Sequence, residues 1–413
     1  MLPLPKYHKI LFLSEPHNLI IVLKKIGCFF SVLSYNNSMV TRELTNTIKK
    51  YLFEGRCIVV FGPRRVGKTT LAKWFAKEYN AILFNCDRLE TRNLFYEITL
   101  EGLKNIFSGH NFIIFDEVQE LPNAGKLLKL IVDEFPNIQV FATGSCPFGL
   151  HSKIGEPLTG RKFEFYLMPF SFYEMVSARN LFEEKSSTDI RLIYGYYPEI
   201  VLKQHKEERL RELVNSYLLK DILLYSGIRN SEKILLLLKT LALQIGQLIS
   251  YNEIAQSIGL SVNTVAHYID ILEKMFVIFK LNSFSRNLRT EMKKSKKIFF
   301  WDLGIRNAIL NMFFPVNLRQ DIGHIWENFI IAERKKQLLF QNIHPNHYFW
   351  RTNSGSEIDL VEELNGKIYA WQIKWNPRKK ANFAPSFLSA YNPKTGIITK
   401  ANFEDFLKPL HTS

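Results

Sequence analysis

A lysine followed by two hydroxyl residues closes the stretch Gly62-Pro63-Arg64-Arg65-Val66-Gly67-Lys68-Thr69-Thr70. An ammonium, a hydroxyl and two glycines at this spacing suit a polyphosphate. Gly62 and Gly67 let the backbone curl so that its N–H groups converge on anionic oxygens. Lys68 is placed for the β- and γ-phosphates, and the Thr69 hydroxyl for Mg²⁺. A helix beginning here would add unpaired N–H groups and the positive end of its dipole. The spacing of Gly62, Gly67, Lys68 and Thr69 is that of the phosphate-binding loop, G-x-x-x-x-G-K-[ST].

A second group of acids completes this chemistry. Asp116 and Glu117 end the apolar run 112–115, about 50 residues after the loop. Asp116 is expected to hold Mg²⁺, and Glu117 to act as base or water-positioning group for attack on the γ-phosphate. Thr143 and Ser145 end another apolar run and are candidates for sensing the γ-phosphate, as is Arg161. Nothing in the sequence identifies a residue that would select adenine over guanine.

These residues need a parallel sheet to position them. The run 58–61 reads as a β-branched and aromatic strand leading into the loop, and 71–79 as the helix that follows. Residues 81–85, 112–117, 139–145 and 162–167 read as further strands, and 41–51 and 94–106 as helices, the latter broken by Gly109. An unbroken apolar run suits a parallel strand buried on both faces. Acids at its C-terminal end fall where open α/β sheets place their ligands. The pattern is an α/β P-loop NTPase sheet of the additional-strand type.

Length and charge set the wider frame. At 413 residues the chain has room for two or three domains, and 46% hydrophobic with 23% charged residues is ordinary for a globular protein. A net charge of +15 favours a polyanionic partner, DNA before membrane. Cys28, Cys57, Cys86 and Cys146 are widely spaced with no C-x-x-C pair, which suits free thiols in a reducing cytoplasm. Lys24 and Lys25 interrupt the apolar stretches 19–23 and 26–33, so no run spans a bilayer. Residues 1–38 are expected to be an extension outside the fold, with translation from Met39, or else a membrane-associating or partner-binding arm.

The segment after the ATPase-like part divides further. Residues 39–168 are read as the nucleotide domain and 169–230 as a helical lid or linker, with a break at Tyr197-Pro198-Glu199. Residues 231–305 read as a winged helix. An apolar helix over 233–248 precedes a capped helix over 251–258 that Gly259 closes, and a further helix over 262–275. Strands over 276–281 and 298–301 flank a basic wing carrying Arg286, Arg289, Lys293, Lys294, Lys296 and Lys297. Asn263, Thr264, His267 and Tyr268 would face a major groove while the wing holds phosphate. The alternative is an interdomain adaptor with a solvated turn.

Residues 306–413 read as an α+β domain. Glu327 opens a helix, and strands are expected over 348–351, 356–361 and 368–374. Asp359 and the Gln372-x-Lys374 pair lie on adjacent strands, with Gln372 and Lys374 on one face. Acids holding Mg²⁺ and a lysine orienting water would suit metal-dependent phosphodiester cleavage.

Residues 62–70, 112–117, 143–145, Gly160-Arg161 and 169–174 together resemble a large prokaryotic family of AAA-type ATPases with a C-terminal domain of unknown function. Residues 194–199, 326–328, 357–359 and 372–374 resemble that C-terminal domain, and the likeness runs from about Val40 onward. The resemblance implies ATP binding and hydrolysis with Mg²⁺, a winged-helix middle and a PD-(D/E)xK (restriction-endonuclease-like) end. Gln372 stands where the nuclease pattern has an acid, which should weaken an Mg²⁺ site. The expected function is an ATPase coupled to a DNA-associated C-terminal half. The alternatives are an ATP-gated DNA nuclease and a non-enzymatic ATP-switched regulator of DNA or a protein partner. A protein partner or homo-oligomer is compatible with either half.

Overall fold

Strand β1 (Cys57–Phe61) is buried at every position, as its β-branched and aromatic sequence requires. Each such apolar side chain contributes about 1.5–3 kcal/mol on burial. The computed structural model describes residues 40–145, 158–218, 222, 231–285, 296–352, 355–379 and 381–410. Cys28, Cys146, the segment 1–38 and the wing residues Arg286, Arg289, Lys293 and Lys294 lie outside the described residues. The chain divides between Ser38 and Met39, and Met39–Ser413 forms one compact unit.

The first sheet is wholly parallel, in the order β2-β3-β4-β1-β5. Its other strands are β2 (Ile82–Asn85), β3 (Phe112–Asp116), β4 (Gln139–Gly144) and β5 (Lys162–Tyr166). Strand β4 lies between the loop-bearing β1 and the acid-bearing β3, the additional-strand order. Phe61 pairs with Gly144 and Phe115 with Ala142, so the phosphate loop, Glu117 and Ser145 emerge at one edge.

The second sheet has seven strands in the order β12-β11-β10-β9-β7-β8-β6. Strands β6 (Leu248–Ile249), β7 (Ile278–Ser283) and β8 (Lys296–Phe300) come from the stretch 231–305. Strands β9 (Asn346–Arg351), β10 (Glu357–Leu364), β11 (Lys367–Ile373) and β12 (Lys394–Ile398) follow. Strand β7 pairs in parallel with β9 through Asn282–Tyr348 and Ser283–Phe349. The sheet therefore runs unbroken across the expected 305/306 division.

Between the sheets runs the helix Ile322–Phe340, buried on every face. A helix this enclosed must pair each polar side chain. Asn328 exchanges hydrogen bonds with the Phe300 backbone at 2.7 and 2.9 Å. Arg334 bonds Glu362, Lys336 donates to the Phe170 carbonyl, and Gln337 donates to Glu43.

Three local expectations are corrected. The stretch 94–106 is two helices, Leu89–Leu94 and Leu100–Phe107, because Glu97 takes a left-handed φ of 52° and Thr99 caps a fresh helix through Gly102 N–H. The apolar helix stops at Leu243, where Gly246 at φ 69° turns the chain into β6. Residues 326–328 lie inside their helix and do not open it.

Candidate functional site

The loop after β1 is shaped by close approaches. A Cβ on Gly62 would meet the Leu167 carbonyl oxygen at 2.0 Å, so β5 packing already demands glycine there. Gly67 has φ 100° and caps the helix Lys68–Glu78, whose first N–H groups have no intrahelical acceptor. Arg65 also takes a left-handed φ, 64°. Its guanidinium reaches Glu199 at 2.7 Å, tying the loop to the helix Pro198–Leu202. Glu199 also accepts from Arg209.

Lys68 is almost fully buried and its ammonium is fully engaged. It donates to the Gly62 and Pro63 carbonyls at 3.0 and 3.1 Å and to Ser145 Oγ at 3.2 Å, with Glu117 Oε1 at 3.6 Å. Burial holds its pKa below the usual lysine value, against the pull of Glu117 and Asp116. Glu117 itself sits at φ 55°. Its Oε2 accepts from Ser145 Oγ at 2.7 Å and from Gln119 Nε2 at 2.6 Å. Burial pushes its carboxyl up, but Lys68, Ser145 and Gln119 together hold it below the ordinary glutamate value. The Glu117 carboxylate is thus ionised at neutral pH.

The three sensing candidates separate. Thr143 is buried and donates to Asp116 Oδ1 at 2.6 Å while accepting from Glu117 N at 2.9 Å. Ser145 touches both Lys68 and Glu117, which places it between cation and base. Arg161 is at the wrong end of the sheet. Its carbonyl accepts from Cys57 N–H at the start of β1, roughly 15 Å of strand from the loop. Its guanidinium pairs with Asp133 at 2.6 Å, so it cannot sense the γ-phosphate of its own chain's site.

The space fits the expected ligands. A 440 Å³ cavity is lined by Lys68, Thr69, Thr70 and Glu117 on one wall and by Glu199 and Lys203 on the other. A 260 Å³ cavity beside it is lined by Thr69 and Asp116. A hydroxyl and a carboxylate on one cavity are the hard oxygen donors that Mg²⁺ takes alongside phosphate. Arg64 lies close enough for its charge to act on Glu117 and Asp87.

Two supporting residues lie outside the motifs read from the sequence. Arg42, ahead of the first helix, is buried and makes three bonds. It donates to the Val66 carbonyl at 2.7 Å, the Met168 carbonyl at 2.6 Å and Glu174 Oε1 at 2.8 Å, pinning the loop to the end of β5. Gln119 could have been suspected from its place two residues after Glu117. Arg42 could not, because its partners are 24 and 126 residues away.

The C-terminal residues also converge. Lys374 donates to Asp359 Oδ2 at 2.8 Å, and Ile373 N–H donates to the same oxygen at 2.6 Å. Gln372 gives its amide to the Glu357 carbonyl at 2.6 Å. Glu327 accepts from Lys297 at 2.9 Å. Burial pushes the Glu327 carboxyl up to about 7, with Lys297 opposing and Asp359 adding to the rise. Among the described residues, no group of three or more His, Cys, Asp or Glu side chains is placed to hold a metal ion.

The DNA-contact candidates split. On the helix Val262–Lys274, Asn263 and His267 are exposed, and Thr264 is half-buried against Ser261 Oγ at 2.8 Å. Lys296 lies over the Tyr251 ring. Lys297 is corrected. β8 is buried from Lys297 to Phe300 and leaves Lys297 3% exposed, so it cannot reach a nucleic acid phosphate.

Known family models match three successive stretches of the chain. Residues 54–176 match the AAA domain, 186–315 a domain of unknown function (DUF8612) and 322–408 another (DUF4143). An AAA-type P-loop domain thus precedes a DUF4143 domain. An uncharacterized protein of Mycobacterium tuberculosis is 26% identical over 343 residues, 81% of this chain and 73% of the relative. One of Haemophilus influenzae is 25% identical, covering 69% of this chain and 81% of the relative. One of Methanocaldococcus jannaschii is 23% identical, covering 64% and 65%. A solved structure of unliganded Pif1 from a Bacteroides species is 15% identical over 43% of this chain and 50% of that one, with a TM-score of 0.23. This chain spans about half the length of that Pif1 chain. Among the described residues, no helix is long and apolar enough to cross a membrane.

Proposed function

We propose that this chain is a Mg²⁺-dependent ATPase whose nucleotide state is coupled to a DNA-associated C-terminal half. The observation that carries the reading is Ser145 Oγ, in contact with the Lys68 ammonium and the ionised Glu117 carboxylate beside a 440 Å³ cavity. A bound Mg²⁺, held by Thr69 and Asp116, would supply positive charge to the β- and γ-phosphate oxygens. Everything else falls to the chain.

Without nucleotide, the Gly62 and Pro63 carbonyls hold Lys68 back on its own loop. A γ-phosphate is the stronger acceptor, because charge-assisted bonds are roughly twice as strong as neutral ones. Lys68 therefore turns to the phosphate, leaving Ser145 and Glu117 facing it. Glu117 orients the attacking water and takes its proton. Gln119 keeps the carboxylate fixed while this happens.

The route to the C-terminal half is the buried helix Ile322–Phe340. It meets the nucleotide domain through Glu43 and the Phe170 carbonyl, and the second sheet through Phe300 and Glu362. Exposed Asn263 and His267 are the groups offered to DNA. Phosphate release should be measured on the full chain with Mg²⁺ and ATP, with and without duplex DNA, alongside fluorescent ATP-analogue binding to Lys68→Ala. The reading expects hydrolysis that DNA changes, and tight binding lost in the variant. Binding unchanged in Lys68→Ala would overturn the site, and a rate indifferent to every DNA tried would overturn the coupling.

A further inference from the structure

The nuclease resemblance implies a divalent cation at Glu327 and Asp359, and the residues present do not fit one. Lys297 on β8 is 3% exposed. Its ammonium lies 2.9 Å from Glu327 Oε1 and 2.5 Å from Glu357 Oε1, with the Phe349 ring 5.6 Å away. Asp359 is committed to Lys374 and to the Ile373 N–H. We infer that the Lys297 ammonium takes the place of the divalent ion at the Glu327–Glu357–Asp359 centre, so that this half of the chain binds no metal there and cleaves no phosphodiester.

The argument is one of charge and geometry. Mg²⁺ needs near-octahedral oxygen ligands at about 2.0–2.1 Å. Here the oxygens that would approach it are drawn to a nitrogen bracketed between two of them. A metal entering would have to expel a buried ammonium, which would leave its charge desolvated. The strand places the lysine there without choice. Lys296 is half-buried at the start of β8, and every residue from Lys297 to Phe300 is buried. The centre then joins three elements, β8, β10 and the helix Ile322–Phe340, as a closed polar joint. This inference goes beyond the ATPase reading and does not depend on nucleotide hydrolysis.

The test is Mn²⁺ binding by electron paramagnetic resonance on the nucleotide-free full chain. Asp116→Asn is the parent, to silence the phosphate-loop site. The parent is expected to bind no Mn²⁺ that a further Asp359→Asn removes, and to leave supercoiled plasmid uncut. Adding Lys297→Met is expected to open the seat, gaining one bound Mn²⁺ that Asp359→Asn abolishes again. Parent binding or nicking that disappears in Asp359→Asn overturns the inference. So does a folded Lys297→Met chain, judged by circular dichroism, that gains no ion. If Lys297→Met does not fold, the parent measurements alone decide.

Discussion

Lys68 and Lys297 are both buried lysines that meet carboxylates, and the meetings differ in what surrounds them. Lys68 is held by two backbone carbonyls and a serine hydroxyl, with Glu117 at 3.6 Å, beside an open cavity. Lys297 is clamped between Glu327 and Glu357 at 2.9 and 2.5 Å, within the core. The first lysine has neutral partners that a phosphate can outcompete. The second is bracketed by two carboxyl groups inside the core, and displacing them leaves its ammonium buried without a partner. A lysine–carboxylate pair is therefore poised for chemistry when its bonds are weak and space lies beside it. It is a structural joint when its bonds are strong and enclosed.

The largest effect expected from this contrast is on stability. Lys297→Met leaves the buried Glu327 carboxyl without its cation and should cost about 3–5 kcal/mol. Lys68→Met should cost far less, since Glu117 keeps Ser145 and Gln119. Urea unfolding of the two variants checks this, and equal losses would erase the contrast.

The closed joint should also respond to pH. The Glu327 carboxyl is raised from 4.5 to about 7 by burial, facing Lys297, Glu357 and Asp359, with His324 on its own helix. The folded chain then holds a proton that the unfolded chain has released between those values. Stability from this group is present below about 4.5, falls as pH rises towards 7 and is flat above. The span is on the order of 3 kcal/mol. Unfolding midpoints of Glu327→Gln at pH 5 and pH 8 should lie closer together than those of the parent; an unchanged gap would refute the shift.

Arg42 sharpens the open site. It is a positioning residue, holding the Val66 carbonyl just before Gly67. Arg42→Lys keeps the charge but loses the planar fork. It should raise the KM for ATP about tenfold, equivalent to ~1.4 kcal/mol, with kcat changed less. Equal changes in both would mean the contact acts on the chemistry and not on the loop. Ser145→Ala should have the smallest effect, lowering kcat several-fold, on the order of 1 kcal/mol, with ATP binding kept.

Local chemistry was legible in the sequence wherever partners are close along the chain or fixed by strand order. The phosphate loop, the acids after β3 and the capped helices Tyr251–Ile258 and Val262–Lys274 follow from spacing, capping residues and apolar runs. What was not legible came from packing between distant segments. Arg42 finds Met168, Glu43 finds Gln337, and Lys297 finds Glu327, over separations of 126, 294 and 30 residues. The basic composition of the wing gives no sign that β8 is enclosed from Lys297 onward, with Glu327 and Glu357 as that lysine's partners. Arg161 lies at the opposite end of the strands from the phosphate loop, a placement set by the parallel register of β1 and β5.

The most direct test of the account compares ATP turnover in Glu117→Gln with that in Asp359→Asn, at saturating ATP and Mg²⁺. The account predicts that the first falls about 10²- to 10⁴-fold with ATP binding intact, while the second stays within about twofold of the parent. Full turnover in Glu117→Gln, or an equal fall in both, would contradict it.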